Sequence, residues 1–150
     1  MTNMDNNPVI TAVTDIATPA EDVWKELTDF ASYAQWHPAL SFVDVPAEIL
    51  PGTQLRAQVS LGTEIDGEYS FTVLQFEAPR RLAWEGGIPD VLMGQHSFLL
   101  ETREGGTRFT ESEEFTGPAA VETVEPARAE MEERYASYGT ALKERLLSRH

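Results

Sequence analysis

The sequence predicts an α+β fold in which seven antiparallel strands form one strongly curved sheet and a long C-terminal helix lies across it. Three observations carry this. From residue 40 to 116 the apolar pattern has period two and is interrupted by short Gly- and Pro-containing breaks. From 121 to 146 it switches to helical period. Between the first strand-like run and the second lies a helix start signal.

VITAVTDIA (9–17) is rich in β-branched residues and reads as the first strand. In TPAEDVWKELTDF, Thr18 is placed to N-cap, Pro19 suits the first helical position, and Glu21 completes a Ser/Thr-x-x-Glu capping box. Val23, Trp24 and Leu27 share one helical face. A second short helix is read over 30–36, ended by the restriction that Pro38 imposes on His37. Strands follow near 40–47, 53–61, 68–77, 80–86, 93–102 and 107–116, with breaks at Pro51-Gly52, Gly62 to Gly67, Ala78-Pro79 and Gly87 to Asp90. Connections this short join antiparallel neighbours. The stripe Val121, Val124, Ala127, Met131, Tyr135, Tyr138, Leu142, Leu146 then marks a helix that begins or kinks at Pro126. From 126 to 147 it is about 33 Å long, enough to cross a sheet. Residues 1–8 read as a flexible leader and 9–150 as one domain.

Composition narrows the partners. Eleven Lys and Arg against 25 Asp and Glu give a formal net charge of -14. Such a surface repels phosphate backbones and anionic headgroups, which argues against nucleic acid and against electrostatic membrane docking. No apolar run reaches the roughly 18 residues of a membrane span, and no secretory signal opens the chain. The expected location is therefore cytoplasmic. There is no cysteine, which excludes thiolate nucleophiles and thiolate metal sites. Gly-x-Ser-x-Gly, P-loop and dinucleotide glycine patterns are absent. His37 and His96 stand in distant segments without metal-ligand spacing, so neither a metal nor another cofactor is expected.

The segment GQHSFLLETREGGTRFTESEEF (94–115) reads as a hairpin turning at Gly105-Gly106. Alternation places His96, Phe98 and Leu100 in one row, and Phe109, Glu111, Glu113 and Phe115 in the other. If both rows face inward, ionisable groups share a face with four large apolar side chains, which is costly unless they are paired or meet a ligand. Depending on which dipeptide turns, Glu113 faces Phe98 or His96; either way His96 and Glu113 lie within one cross-strand step. They are the candidate catalytic or ligand-fixing pair. Trp84, in one row with Leu82 and Gly86, is the candidate aromatic wall. Trp36 is expected in the core at the cavity entrance, and His37 partly exposed. Met131, Tyr135 and Tyr138 would close the site from the helix.

The local wording resembles a known superfamily. ATPAEDVWKELTDFASYAQWHP, RRLAWEGG (80–87), GQHSF, GTRFTESEEFTG and YGTALKERL are similar to segments of the SRPBCC proteins, which include START-related lipid binders and polyketide cyclase/dehydrase-like proteins. The resemblance spans about 9–147 and implies the helix-grip fold, with a cavity between sheet and last helix that takes apolar small molecules. Where many relatives carry His two residues before the hairpin glutamate, this chain has Glu111, so activities that need a histidine pair are not implied. The resemblance implies an apolar or aromatic small-molecule binder (lipid, sterol or polyketide-like) contacted by Trp84, His96, Phe98, Leu100 and Phe109, by Glu111, Glu113 and Phe115, and by Met131, Tyr135 and Tyr138. Its alternatives are a cyclase/dehydrase-like enzyme using His96 and Glu113, and a protein-interaction module of the heat-shock-activator type. A monomer or weak homodimer is expected.

Overall fold

The computed structural model describes residues 6–148. Seven strands, β1 (Val9–Ile16), β2 (Leu40–Val43), β3 (Gln54–Val59), β4 (Gly67–Glu77), β5 (Arg81–Ile88), β6 (Leu92–Arg103) and β7 (Gly106–Thr116), form one antiparallel sheet in the order β1-β7-β6-β5-β4-β3-β2. A register shift between Val73 and Gln75 of β4 adds bend to it. Helix α1 (Ala20–Leu27) and a 3-10 helix (Phe30–Gln35) fill the crossover from β1 to β2. After β7 come α2 (Ala120–Val124), a 3-10 turn (Glu125–Ala127) and α3 (Arg128–Ser148). This is the helix-grip arrangement. No helix among the described residues is long and apolar enough to cross a membrane.

Local departures from the expected boundaries have physical causes. Helix α1 starts one residue late, at Ala20, with Pro19 rather than Thr18 at the N-cap and no side-chain cap. The Pro19 carbonyl instead accepts from the amides of Asp22 and Val23 at 3.0 and 3.1 Å. Thr18 is buried, and its carbonyl accepts a 2.6 Å hydrogen bond from the Thr107 hydroxyl. Strand β2 ends at Val43, not 47, because Asp44 takes a left-handed φ of 49°. The long helix begins only at Arg128, after Pro126 has been placed in the 3-10 turn. Val121, assigned to the buried stripe, is 52% exposed, because α2 has its own axis. Residues 1–5 of the expected leader lie outside the described residues. The rest of it is anchored: the Pro8 carbonyl accepts from Phe115 N, and Asn7 donates to Glu114.

Two apolar clusters fill the space between sheet and helices. The larger gathers Val23, Leu27, Phe30 and Tyr33 from the crossover against Leu55, Leu82 and Trp84 of the sheet. The smaller contains Ile10, Phe115, Val124, Tyr135 and Tyr138. Burial of each large side chain contributes about 1.5–3 kcal/mol. An ion pair that the sequence did not suggest ties the helices together: Arg145 on α3 donates to Glu26 of α1 at 3.3 Å and to Gln35 at 2.8 Å. Both charged side chains are largely buried, so the hydrogen bonds matter as much as the charges.

Helix α3 reaches β1 at a glycine. A Cβ on Gly139 would stand 2.1 Å from the Thr14 hydroxyl and 3.1 Å from its Cβ. Gly139→Ala is therefore expected to lower unfolding free energy by about 1–3 kcal/mol, the usual cost of overpacking. Urea denaturation measures this, and Thr14→Ala in the same chain should restore part of the loss.

Candidate functional site

The β6–β7 hairpin turns at Glu104-Gly105, not at Gly105-Gly106, because Arg103 pairs with Gly106. Gly105 supplies the positive φ of 83°. Gly106 answers a different need: a Cβ there would lie 2.1 Å from the Ile16 carbonyl at the end of β1. This register sets His96 opposite Glu113, Phe98 opposite Glu111, and Leu100 opposite Phe109. Both rows face inward.

The His96 ring is held on both nitrogens. Nε2 lies 2.7 Å from Glu111 Oε2, and Nδ1 lies 3.6 Å from Glu113 Oε1. The direct hydrogen bond is thus with Glu111, while Glu113, the partner singled out by register, makes the longer ionic contact. Glu113 is in turn the acceptor for the Tyr135 hydroxyl. The imidazole stacks on Phe98 at 4.7 Å and 11° and on Tyr135 at 5.4 Å and 21°. Since Phe98 and Tyr135 belong to different apolar clusters, the polar group sits at the seam between them. Gly94 makes the arrangement possible: a Cβ there would lie 2.0 Å from Glu113 Oε2. The Gly-x-His spacing is the space that the carboxylate occupies.

The electrostatics follow from burial and pairing. Burial pulls the His96 pKa down, but the Glu113 charge and the Glu111 hydrogen bond outweigh it and leave it raised. Burial raises Glu111, with the His96 hydrogen bond opposing. Burial and the Glu113 charge push the Tyr135 phenol well up. His96 and Glu111 therefore both hold protons more tightly than free side chains. Their folding contributions are present at lower pH and are lost as pH rises through the raised values.

Beside this group lies a cavity of about 20 Å³, room for about one water. The rings of Phe30, Phe42, Phe98 and Trp84, with centroids 4.9 to 6.1 Å apart, fill most of the space between sheet and helices. Of the expected contacts, Trp84, His96, Phe98, Phe109, Glu111 and Tyr138 line the cavity. Leu100 is buried in the larger cluster, while Phe115 and Tyr135 are in the smaller one with Met131 packed against it. Glu113 lies behind His96. A larger surface groove of about 430 Å³ near the hairpin turn is lined by charged groups such as Arg108 and Asp15, which pair with each other at 2.9 Å.

Trp36, expected at the cavity entrance, lines the cavity, and with it come residues that the sequence pattern did not place there: Tyr33, His37 and Leu40, the first residue of β2. His37 Nδ1 accepts the backbone N–H groups of Ala39 and Leu40, both at 3.0 Å. Burial and the nearby His96 lower its pKa to about 3. It is therefore neutral in the fold, and its stabilising contribution, complete above about pH 6.5, is lost as pH falls toward 3. The only sequence signal for this role was its place before Pro38, a turn position where a side chain can cap backbone donors.

The profile described as polyketide cyclase / dehydrase and lipid transport matches residues 8–146. The chain belongs to this family. It is thereby a member of the SRPBCC superfamily. Solved structures of similar fold to this family member include MLL2253 from Mesorhizobium loti (TM-score 0.71, 18% identity, 95% of this chain and 98% of that one). Ara h 8.0201 is similar at TM-score 0.73 and 13% identity, over 95% and 99% of the two chains. The di-domain ARO/CYC BexL from the BE-7585A biosynthetic pathway is similar at 0.71 and 15%, over 95% of this chain and 50% of that one. Among curated proteins none matches by sequence.

NMR titration is expected to show His96 protonating above the ordinary histidine range while His37 stays neutral down to about pH 4. Glu113→Gln should lower the His96 pKa. Gly94→Ala, which displaces the same carboxylate without removing a charge, should lower it too.

Proposed function

We propose that this family member binds an apolar or aromatic small molecule between the sheet and the crossover, and that His96 and Glu111 fix its polar end. The observation that carries this reading is a histidine–carboxylate pair, buried and aligned by Glu113 and Tyr135, on the wall of a cavity lined mostly by aromatic and leucine side chains. Apolar pockets with a few convergent polar groups are the usual form of small-molecule sites. The family description and the ARO/CYC neighbour support a polyketide-like ligand over a simple hydrocarbon.

The cavity must widen to take such a molecule. Its sheet wall is fixed by strand pairing on both sides, with Trp84, Phe98, Phe109 and Glu111 all buried. Trp36, His37 and Leu40 are only half-buried and stand next to β2, a four-residue edge strand. The crossover wall is the one that yields.

The coupled pair also favours a second reading, a cyclase/dehydrase-like enzyme. His96 or Glu111, each with raised proton affinity, would take a proton from carbon beside a ligand carbonyl and return it to a departing hydroxyl. The two readings separate by experiment. An environment-sensitive apolar dye should bind saturably and be displaced by fatty acids, sterols or polyphenols; absence of saturable binding by folded protein overturns both readings. His96→Ala and Glu111→Gln should lower any turnover of a polyketide-type substrate by at least about a hundredfold. If they weaken binding of polar-headed ligands while no turnover exists in the parent protein, the protein is a binder.

A further inference from the structure

His96 and Glu111 line the cavity, whereas Glu113 and Tyr135 stand outside it. The Glu111 side chain is 4% exposed, His96 12% and Glu113 17%. Titratable groups therefore run outward from the cavity in the order Glu111, His96, Glu113, with contacts of 2.7 Å at Nε2 and 3.6 Å at Nδ1. The second contact is roughly half an ångström beyond hydrogen-bond reach, and such contacts in unliganded sites commonly tighten when a ligand binds. Tyr135 donates to Glu113 Oε1, the same oxygen that faces Nδ1, and holds it in line. Phe98 and Tyr135 stack on the imidazole, and Trp84 lies 5.6 Å from it. The ring has no room to swing, so a proton crosses it only through its two nitrogens. The other titratable groups around it stay out of the line. His37 has its Nδ1 taken by two backbone N–H groups. Tyr33 donates to the Leu27 carbonyl, and Tyr138 packs on His37 near Arg134. One carboxylate suffices to neutralise a buried imidazolium. A second adds a charge that burial penalises, and a purely structural pair has no use for it.

We infer that Glu113 is the outer end of a proton relay, Glu111–His96–Glu113, through which the cavity exchanges protons with solvent while its walls stay closed. This rests on the catalytic reading of the same site and names the residue that recharges it. A proton accepted by Glu111 Oε1, the oxygen that His96 leaves open, makes Glu111 a neutral acid. An imidazolium His96 then releases its Nδ1 proton to Glu113 Oε1, and Glu113 hands it to a solvent water. Only O–H and N–H bonds form and break. One proton enters, one leaves, and the Glu111–His96 pair keeps its summed charge. Delivery of a proton to the cavity is the same sequence reversed. Glu111 is the group that meets the ligand, and His96 is the carrier behind it. Gly94 belongs to the relay as well, because a Cβ there would stand 2.0 Å from Glu113 Oε2 and displace the carboxylate.

The test follows protonation of Glu111 in the full chain after a rapid pH jump, by the infrared carbonyl band of its neutral carboxyl, assigned as the band missing from Glu111→Gln. In the parent protein the rate is expected to stay flat in mild urea, because the relay works in the closed state. Protonation that waits for the crossover to open accelerates with urea. Glu113→Gln should slow the rate at least about tenfold and make the remainder urea-dependent. Gly94→Ala, which keeps every charge and moves only the carboxylate, should do the same. The parent protein also gives a signature that needs no variant to fold. Since the ring cannot turn, NMR should show His96 Nδ1–H exchanging with solvent at least about tenfold faster than Nε2–H. Equal exchange at the two nitrogens, a parent rate that rises with urea, or a rate indifferent to both variants overturns the relay. The catalytic reading fails separately: absence of polyketide-type turnover with these rates as expected removes that reading and leaves the relay, while turnover with Glu113-independent rates removes the relay alone.

Discussion

The interior chemistry of this protein depends on where one hairpin turns. With Glu104-Gly105 at the tip, His96 faces Glu113 and lies diagonal to Glu111. A turn one residue later would keep the same side chains inside but set His96 opposite Phe115 and both carboxylates opposite apolar groups. Glu113 would then keep only a diagonal contact with His96, and Glu111 would lose its partner, at a cost of several kcal/mol. The close approach of Gly106 to the Ile16 carbonyl holds the start of β7 against β1.

Much of this was legible in the chain. Which residues of β6 and β7 share a face follows from alternation, and so does the proximity of His96 to Glu113; that this face is the inner one comes from the fold. The hairpin tip was ambiguous because Gly105-Gly106 is a good turn dipeptide, and the deciding contact is with residues some ninety positions away. The helix start at Thr18 illustrates the same limit: the local capping signal is sound, but Thr18 is buried and its carbonyl bonded by Thr107. The stripe through Val121 failed at its first member because Pro126 splits one helical period between two axes. Trp36 was expected at the cavity entrance, but His37 was not placed in its wall: it belongs to no periodic element, so only the fold brings it there.

The acidity of the surface and the polarity of the interior are separate matters. The net charge of -14 lies on exposed faces, where ion pairs such as Arg108–Asp15 contribute little. Inside, a few groups act in a medium where charge is expensive. There burial raises the proton affinity of Glu111 and of the Tyr135 phenol, the neighbouring carboxylates raise that of His96, and His37 stays neutral. The family is described as polyketide cyclase / dehydrase and lipid transport; the individual donors and acceptors are this chain's own.

The shortness of β2 has a consequence for how the molecule breathes. Four rungs to β3 hold it, it has no strand on its other side, and the cavity wall runs directly into its first residue. Breaking those rungs exposes far less apolar surface than separating any two inner strands, so the backbone amides of Leu40–Val43 report local opening rather than global unfolding. Their hydrogen exchange keeps time for the edge of the cavity, whose wall includes Leu40 itself.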